Sequence, residues 1–133
     1  MSAALATARE ETARIGRLND LARSAMGIAC TAVATVGFRS LSASDQSSVR
    51  ELIETYDAFD EDNDPRGERD FGTIYQFGDG RWTTERPRLR EDERERVFWK
   101  FDYYDRDLRF GSDEAANPAV TRRVLTIMLA DEY

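Results

Sequence analysis

Val97-Phe98-Trp99-Lys100-Phe101-Asp102-Tyr103 alternates strictly, with Val97, Trp99, Phe101 and Tyr103 on one side and Phe98, Lys100 and Asp102 on the other. A period of two is the signature of a strand with one face on a core. That face needs a cover, and the next stretch supplies a candidate. Asn117-Pro118 has the form of a helix start, Asn as cap and Pro at the first helical position. Val120, Val124, Ile127 and Met128, flanked by Leu125 and Leu129, then predict an apolar helix packed on the sheet. Trp99, Phe101, Leu125 and Met128 are expected to be buried against one another. Upstream, Phe71–Phe77 reads as a strand and Gly78-Asp79-Gly80 as a turn. A charged, Arg-rich arm at about residues 78–96 joins the two strands, with Trp82, Pro87 and Leu89 as its only bulky or rigid positions.

The N-terminal half begins with a predicted helix from about Ala4 to Ser24. Leu5, Ala8, Thr12, Ile15, Leu18 and Ala22 form its stripe, and Arg and Glu fill the other side. Gly27 is a stop signal, and Ile28–Gly37, with Cys30 inside it, reads as a strand. Ser42 and Asp45 have capping-box spacing. They open a helix with a Val49, Leu52, Ile53, Tyr56, Phe59 stripe that should end near Asp60. Glu61-Asp62-Asn63-Asp64-Pro65-Arg66-Gly67 follows as an acidic, turn-rich loop. The expectation is one α+β domain over residues 1–133. Its order is α-β-α-β-β-α, with a small antiparallel sheet and helices mainly on one face.

Composition narrows the chemistry. There is no histidine, which removes imidazole acid/base catalysis and His-containing metal sites. Cys30 is the only cysteine. It can form no internal disulfide, so a reducing, cytoplasmic setting is expected, with Cys30 a buried, inert thiol. Arg9, Glu10 and Glu11 come too early for a signal peptide, and Val124–Ala130 is too short to span a bilayer. The net charge of −7 is concentrated in residues 51–80, where two Arg face ten acids. Such a centre repels phosphate backbones, so direct nucleic-acid binding is not expected.

The block Val97–Asp105 followed by Asn117–Ala130, with Glu61-Asp62-Asn63-Asp64-Pro65 leading into Asp70-Phe71-Gly72, resembles a bacterial family known as domain of unknown function 3768. Ile15, Leu18 and Asn19 in the first helix add to the likeness, which covers most of the chain except residues near 78–96. The resemblance implies a small proteobacterial accessory protein, often encoded among plasmid or phage-like genes, with no established activity. The family pattern often places a His where this chain has Arg69, which weakens any role requiring imidazole. The arm from Gly78 to Arg96 is longer than usual for the family.

Two functional readings follow. Glu51, Glu54 and Asp57, continued by Asp60, Glu61, Asp62 and Asp64, would form a negative ridge. Such a ridge can occupy an Arg/Lys-lined nucleic-acid groove on a protein partner. The arm would add Trp82 as an aromatic anchor, with Arg86 and Arg88 beside it. This describes a non-enzymatic inhibitor or accessory protein of a mobile element, possible targets being CRISPR or restriction assemblies, with no cofactor. The alternative is a metal-dependent hydrolase or nuclease using Asp60, Asp62, Asp64 and Asp102. Asp60, Asp62 and Asp64 match the first half of a calcium loop, but Pro65 replaces its glycine and Phe71 its bidentate Glu.

Overall fold

The computed structural model describes residues 3–133. Met1, Ser2 and the side chains of residues 4–6, including Leu5 of the predicted stripe, lie outside the described residues.

Among the described residues the fold is α+β, with three α-helices and a five-stranded sheet. Helix α1 runs Ala3–Ser24, and Gly27 beyond it adopts φ 82°, a conformation that favours glycine. Strand β1 is only Thr31–Ala34, and Val36–Arg39 turns into the short helix α2. Helix α3 spans Ala43–Glu54, and Ser42 Oγ accepts the Asp45 N–H at 3.0 Å, as the capping spacing predicts. Strand β2 is Phe71–Phe77, β3 is Trp82–Thr83, β4 is Glu93–Tyr104 and β5 is Arg122–Leu129.

Two expectations are corrected. The segment after Asn117-Pro118 is strand β5, not a helix. Asn117 Oδ1 accepts the Ala119 N–H at 3.0 Å, so the Asn-Pro pair makes a turn. The sheet is also mixed rather than antiparallel. Its order is β1-β5-β4-β2-β3, with β1 parallel to β5 and the other pairs antiparallel. An apolar strand inserted between β1 and β4 accounts for both differences.

The helices lie on one face, as expected. Ala22 of α1, Phe38 of α2, and Val49 and Ile53 of α3 join Ile74, Val97, Trp99, Phe101, Leu125 and Ile127 in one buried cluster. Gly72 stands opposite Trp99 in the β2–β4 register, and a Cβ there would collide with the indole. The missing side chain is what lets Trp99 lie flat in the core. Met128 is buried as expected, but on the opposite face, opposite Phe98 in register. There Phe71, Phe98 and Tyr133 make mutual edge-type or tilted ring contacts. Among the described residues no helix is long and apolar enough to cross a membrane.

Candidate functional site

Helix α3 ends at Glu54, six residues before the expected Asp60. Asp57 therefore belongs to the following loop rather than to the helix. The apolar stripe nevertheless continues into the loop, because Tyr56 and Phe59 stack edge-on against Trp99 at 5.2 and 6.1 Å. These two rings pull the chain back onto the core and leave the intervening acids outside. Glu51, Glu54, Asp57, Asp60, Glu61 and Asp62 are all exposed, and Asp64 is half-buried.

The loop is internally braced. Asp60 Oδ1 accepts the Asp62 and Asn63 N–H groups, each at 2.9 Å. Asn63 returns a bond from its side-chain amide to the Ala58 carbonyl at 2.8 Å. Asp64 Oδ1 accepts the Arg69 N–H at 3.1 Å. Arg69 sits at φ 56°, a left-handed conformation that a non-glycine residue adopts at a cost. Its guanidinium is held twice, by Asp20 at 2.8 Å and over the Phe59 ring at 4.9 Å.

Asp20 also pairs with Arg23, which is buried and donates to the carbonyls of Ile53 and Tyr56 at 3.0 and 2.9 Å. These carbonyls lie at the C-terminal end of α3, where no basic residue of the helix itself is present. Arg23 thus supplies from α1 the cation that the helix end needs. Beside it, buried Asn19 donates to Tyr103 Oη at 2.8 Å and to the Glu68 carbonyl at 2.9 Å, and accepts from Arg123 Nε at 2.9 Å. This clasp of α1 residues fixes the acidic loop to the sheet.

The α1 stripe predicts its Arg residues on the solvent side, whereas Arg23 is buried in this clasp. Asn19 and Arg23 are four residues apart, on the same face as Ala22 and Ile15. Polar residues inside an apolar stripe were the available signal.

Burial pushes the Asp70 carboxyl above its ordinary value of 3.8, and the charges of Asp64 and Asp102 add to the shift. Glu68 moves the same way, through burial first and then Asp70. A carboxyl with a raised folded pKa binds protons more tightly in the native state, so its stabilising contribution is lost as pH rises through that window. Asp70→Asn should therefore gain stability relative to wild type as pH rises from about 4 to about 7. Urea midpoints of both proteins across that range provide the check. A gap that stays constant with pH would contradict the assignment.

The metal alternative fares differently. Asp102 lies on the outer face of β4, paired with Lys100 at 2.9 Å. Asp60 and Asp64 are occupied by loop N–H groups. Among the described residues no group of three or more His, Cys, Asp or Glu is placed to hold a metal ion.

Trp82 is half-buried, and its indole N–H donates to Asp45 at 3.0 Å. It is therefore a wall of the fold rather than a free aromatic. It lines an open groove of about 970 Å³ between α3 and the β2–β3 turn, together with Asp45, Glu51, Glu54 and Glu85. Arg86 and Arg88 are exposed on either side of buried Pro87. Cys30 is half-buried just before β1, and burial raises its thiol pKa.

A family described as "Protein of unknown function (DUF3768)" matches residues 34–132. The chain belongs to this family. The match takes in α3, the acidic loop, the arm and all of β2–β5, and begins after Ile15, Leu18 and Asn19. No curated protein and no solved structure matches the chain.

Proposed function

We propose that this DUF3768 protein is a non-enzymatic binding protein that places its acidic ridge in the basic, nucleic-acid-handling groove of a protein partner. The best candidates for that partner are defence assemblies of the CRISPR or restriction kind, with the chain acting as an inhibitor or accessory protein of a mobile element in the cytoplasm. One observation carries the reading. Glu51, Glu54, Asp57, Asp60, Glu61 and Asp62 are exposed, and none of them forms an ion pair among the described residues.

Their placement supports a role beyond stability. Glu51 and Glu54 occupy the last turn of α3. There the helix dipole disfavours carboxylates by about 0.3–1 kcal/mol each. The braced loop presents Asp57, Asp60, Glu61 and Asp62 on a fixed backbone, which lowers the ordering cost of binding. The acidic groove beside Trp82 extends the same negative surface.

The test begins with a tagged pull-down from the native host and continues with binding kinetics on the captured partner. Glu54→Gln/Asp57→Asn/Glu61→Gln/Asp62→Asn should associate at least about tenfold more slowly than wild type at low salt. The difference should shrink as salt rises, because these charges are exposed and screened. Equal association rates at low salt would reduce the ridge to a solubility feature. Titration with magnesium, manganese and calcium separates this reading from the hydrolase, which requires a metal.

A further inference from the structure

The arm carries a second charged feature, opposite in sign to the exposed acids of residues 51–62. Arg86, Arg88, Arg90 and Arg96 line one small concavity of about 270 Å³, with Pro87 and Glu93 as its other walls. Pro87 is buried and fixes the arm against the body, so that Arg86 and Arg88 stand on either side of a rigid pivot. Arg96 comes from β4. It is held by Glu93 at 2.8 Å and lies over the Tyr75 ring at 5.3 Å, which sets the position of its guanidinium. Arg86, Arg88 and Arg90 make no ion pair and no side-chain hydrogen bond among the described residues.

Exposed guanidiniums gathered around one concavity repel one another weakly in water, and an anion seated among them turns that repulsion into attraction. Acids are abundant in this stretch, yet Glu91, Asp92 and Glu95 do not line the pocket. Only Glu93 does, and it is committed to Arg96.

We propose that Arg86, Arg88, Arg90 and Arg96 form a binding pocket for a single phosphate group, carried by a small phosphomonoester or as the free ion. The guanidiniums of Arg86, Arg88 and Arg90 each present five donors in a planar fork that matches phosphate oxygens, and Arg96, held by Glu93 through one nitrogen, adds charge beside them. The pocket is small, and Glu91 and Asp92 are exposed next to it in sequence. A long polyanion would meet those charges, whereas one compact dianion would not. The pocket is independent of the acidic ridge and stands whether or not the ridge binds a partner.

The test is calorimetric titration of the full chain with inorganic phosphate and with glycerol phosphate, in a phosphate-free buffer of low ionic strength. Saturable binding is expected with one of the two. Tighter binding of glycerol phosphate identifies an ester ligand, and tighter binding of inorganic phosphate the free ion. Either result supports the pocket. Arg86→Gln/Arg88→Gln/Arg90→Gln should weaken that binding by at least about tenfold, since charge-assisted hydrogen bonds are lost. Arg88→Lys alone, which keeps the charge and loses the fork, should weaken it less. All these side chains except Arg96 are exposed, so an unchanged thermal midpoint confirms that the variants remain folded. The proposal is overturned if neither phosphate binds, if the triple variant binds like wild type, or if sodium chloride at matched ionic strength reproduces the signal. Tight, steeply salt-dependent binding of a single-stranded oligonucleotide would also overturn it, in favour of a nucleic-acid track.

Discussion

Arg23→Ala is expected to destabilise the fold by about 3–5 kcal/mol, a large share of the about 5–15 kcal/mol typical of a domain. The side chain is 2% exposed, and several groups depend on it at once. The Ile53 and Tyr56 carbonyls lose their donor in a buried setting. An unsatisfied buried acceptor costs about 1–3 kcal/mol. Asp20 loses one of its two guanidinium partners. The rings of Trp99 and Phe59 lose a cation at 5.1 and 5.4 Å from their centroids. Arg23→Lys keeps the charge, but one compact ammonium cannot span the two carbonyls and the carboxylate that the guanidinium fork reaches, so an intermediate loss is expected. Urea denaturation of both variants gives the measurement. A loss below about 1 kcal/mol for Arg23→Ala would show that water replaces the guanidinium at little cost.

The elements that the sequence revealed are those with a single local explanation. Helix α3 has a cap, a stripe and a charged outer side that agree, and the structure buries Val49 and Ile53 from that stripe. Strand β4 shows unbroken alternation, and its inner residues Val97, Trp99 and Phe101 are buried. Strand β5 differs from the predicted helix because two periods coexist in its sequence. Val120, Val124, Ile127 and Met128 fall at helical spacing, yet Val124–Leu129 is also a nearly continuous apolar run rich in β-branched residues. A strand covered on both sides produces the same run, and spacing alone does not separate the two. Tertiary pairing with β1 and β4 decides the outcome. The concentration of acids was legible as composition, and Glu51, Glu54, Asp57, Asp60, Glu61 and Asp62 are exposed while Asp64 is half-buried. The clasp showed only as Asn19 and Arg23 set inside an apolar stripe, a weak signal because an Arg on an amphipathic helix is most often solvated. Its burial follows only from the unfilled C-terminal end of another helix, Arg23 donating to the carbonyls of Ile53 and Tyr56. The basic concavity was not legible: Arg86 and Arg88 stood in the sequence only as neighbours of a Trp82 anchor, and Arg96 reaches the same concavity from strand β4.

Leu125→Ala is expected to cost about 2–5 kcal/mol, the range for truncating a fully buried leucine. Leu125 is 0% exposed and stands between Ala32 of β1 and Phe101 of β4 in register. The surrounding strands are hydrogen-bonded on both sides, so the site cannot collapse freely onto the cavity. Met128→Ala provides the contrast that distinguishes strand from helix. On a helix, residues three apart share a face and would couple through a common cavity. On β5 they point to opposite sides of the sheet, about 10 Å apart along the strand. Leu125 packs with Trp99 and Phe101 in the helix-covered cluster, whereas Met128 pairs with Phe98 on the other side. The two losses should therefore add to within about 0.5 kcal/mol in the double variant. Urea midpoints and slopes for the two single variants and the double variant complete the cycle. An unchanged midpoint for Leu125→Ala would remove the packing assignment. A coupling energy well above about 1 kcal/mol would place both side chains on one face, as the helical reading of Asn117–Ala130 requires and strand β5 does not.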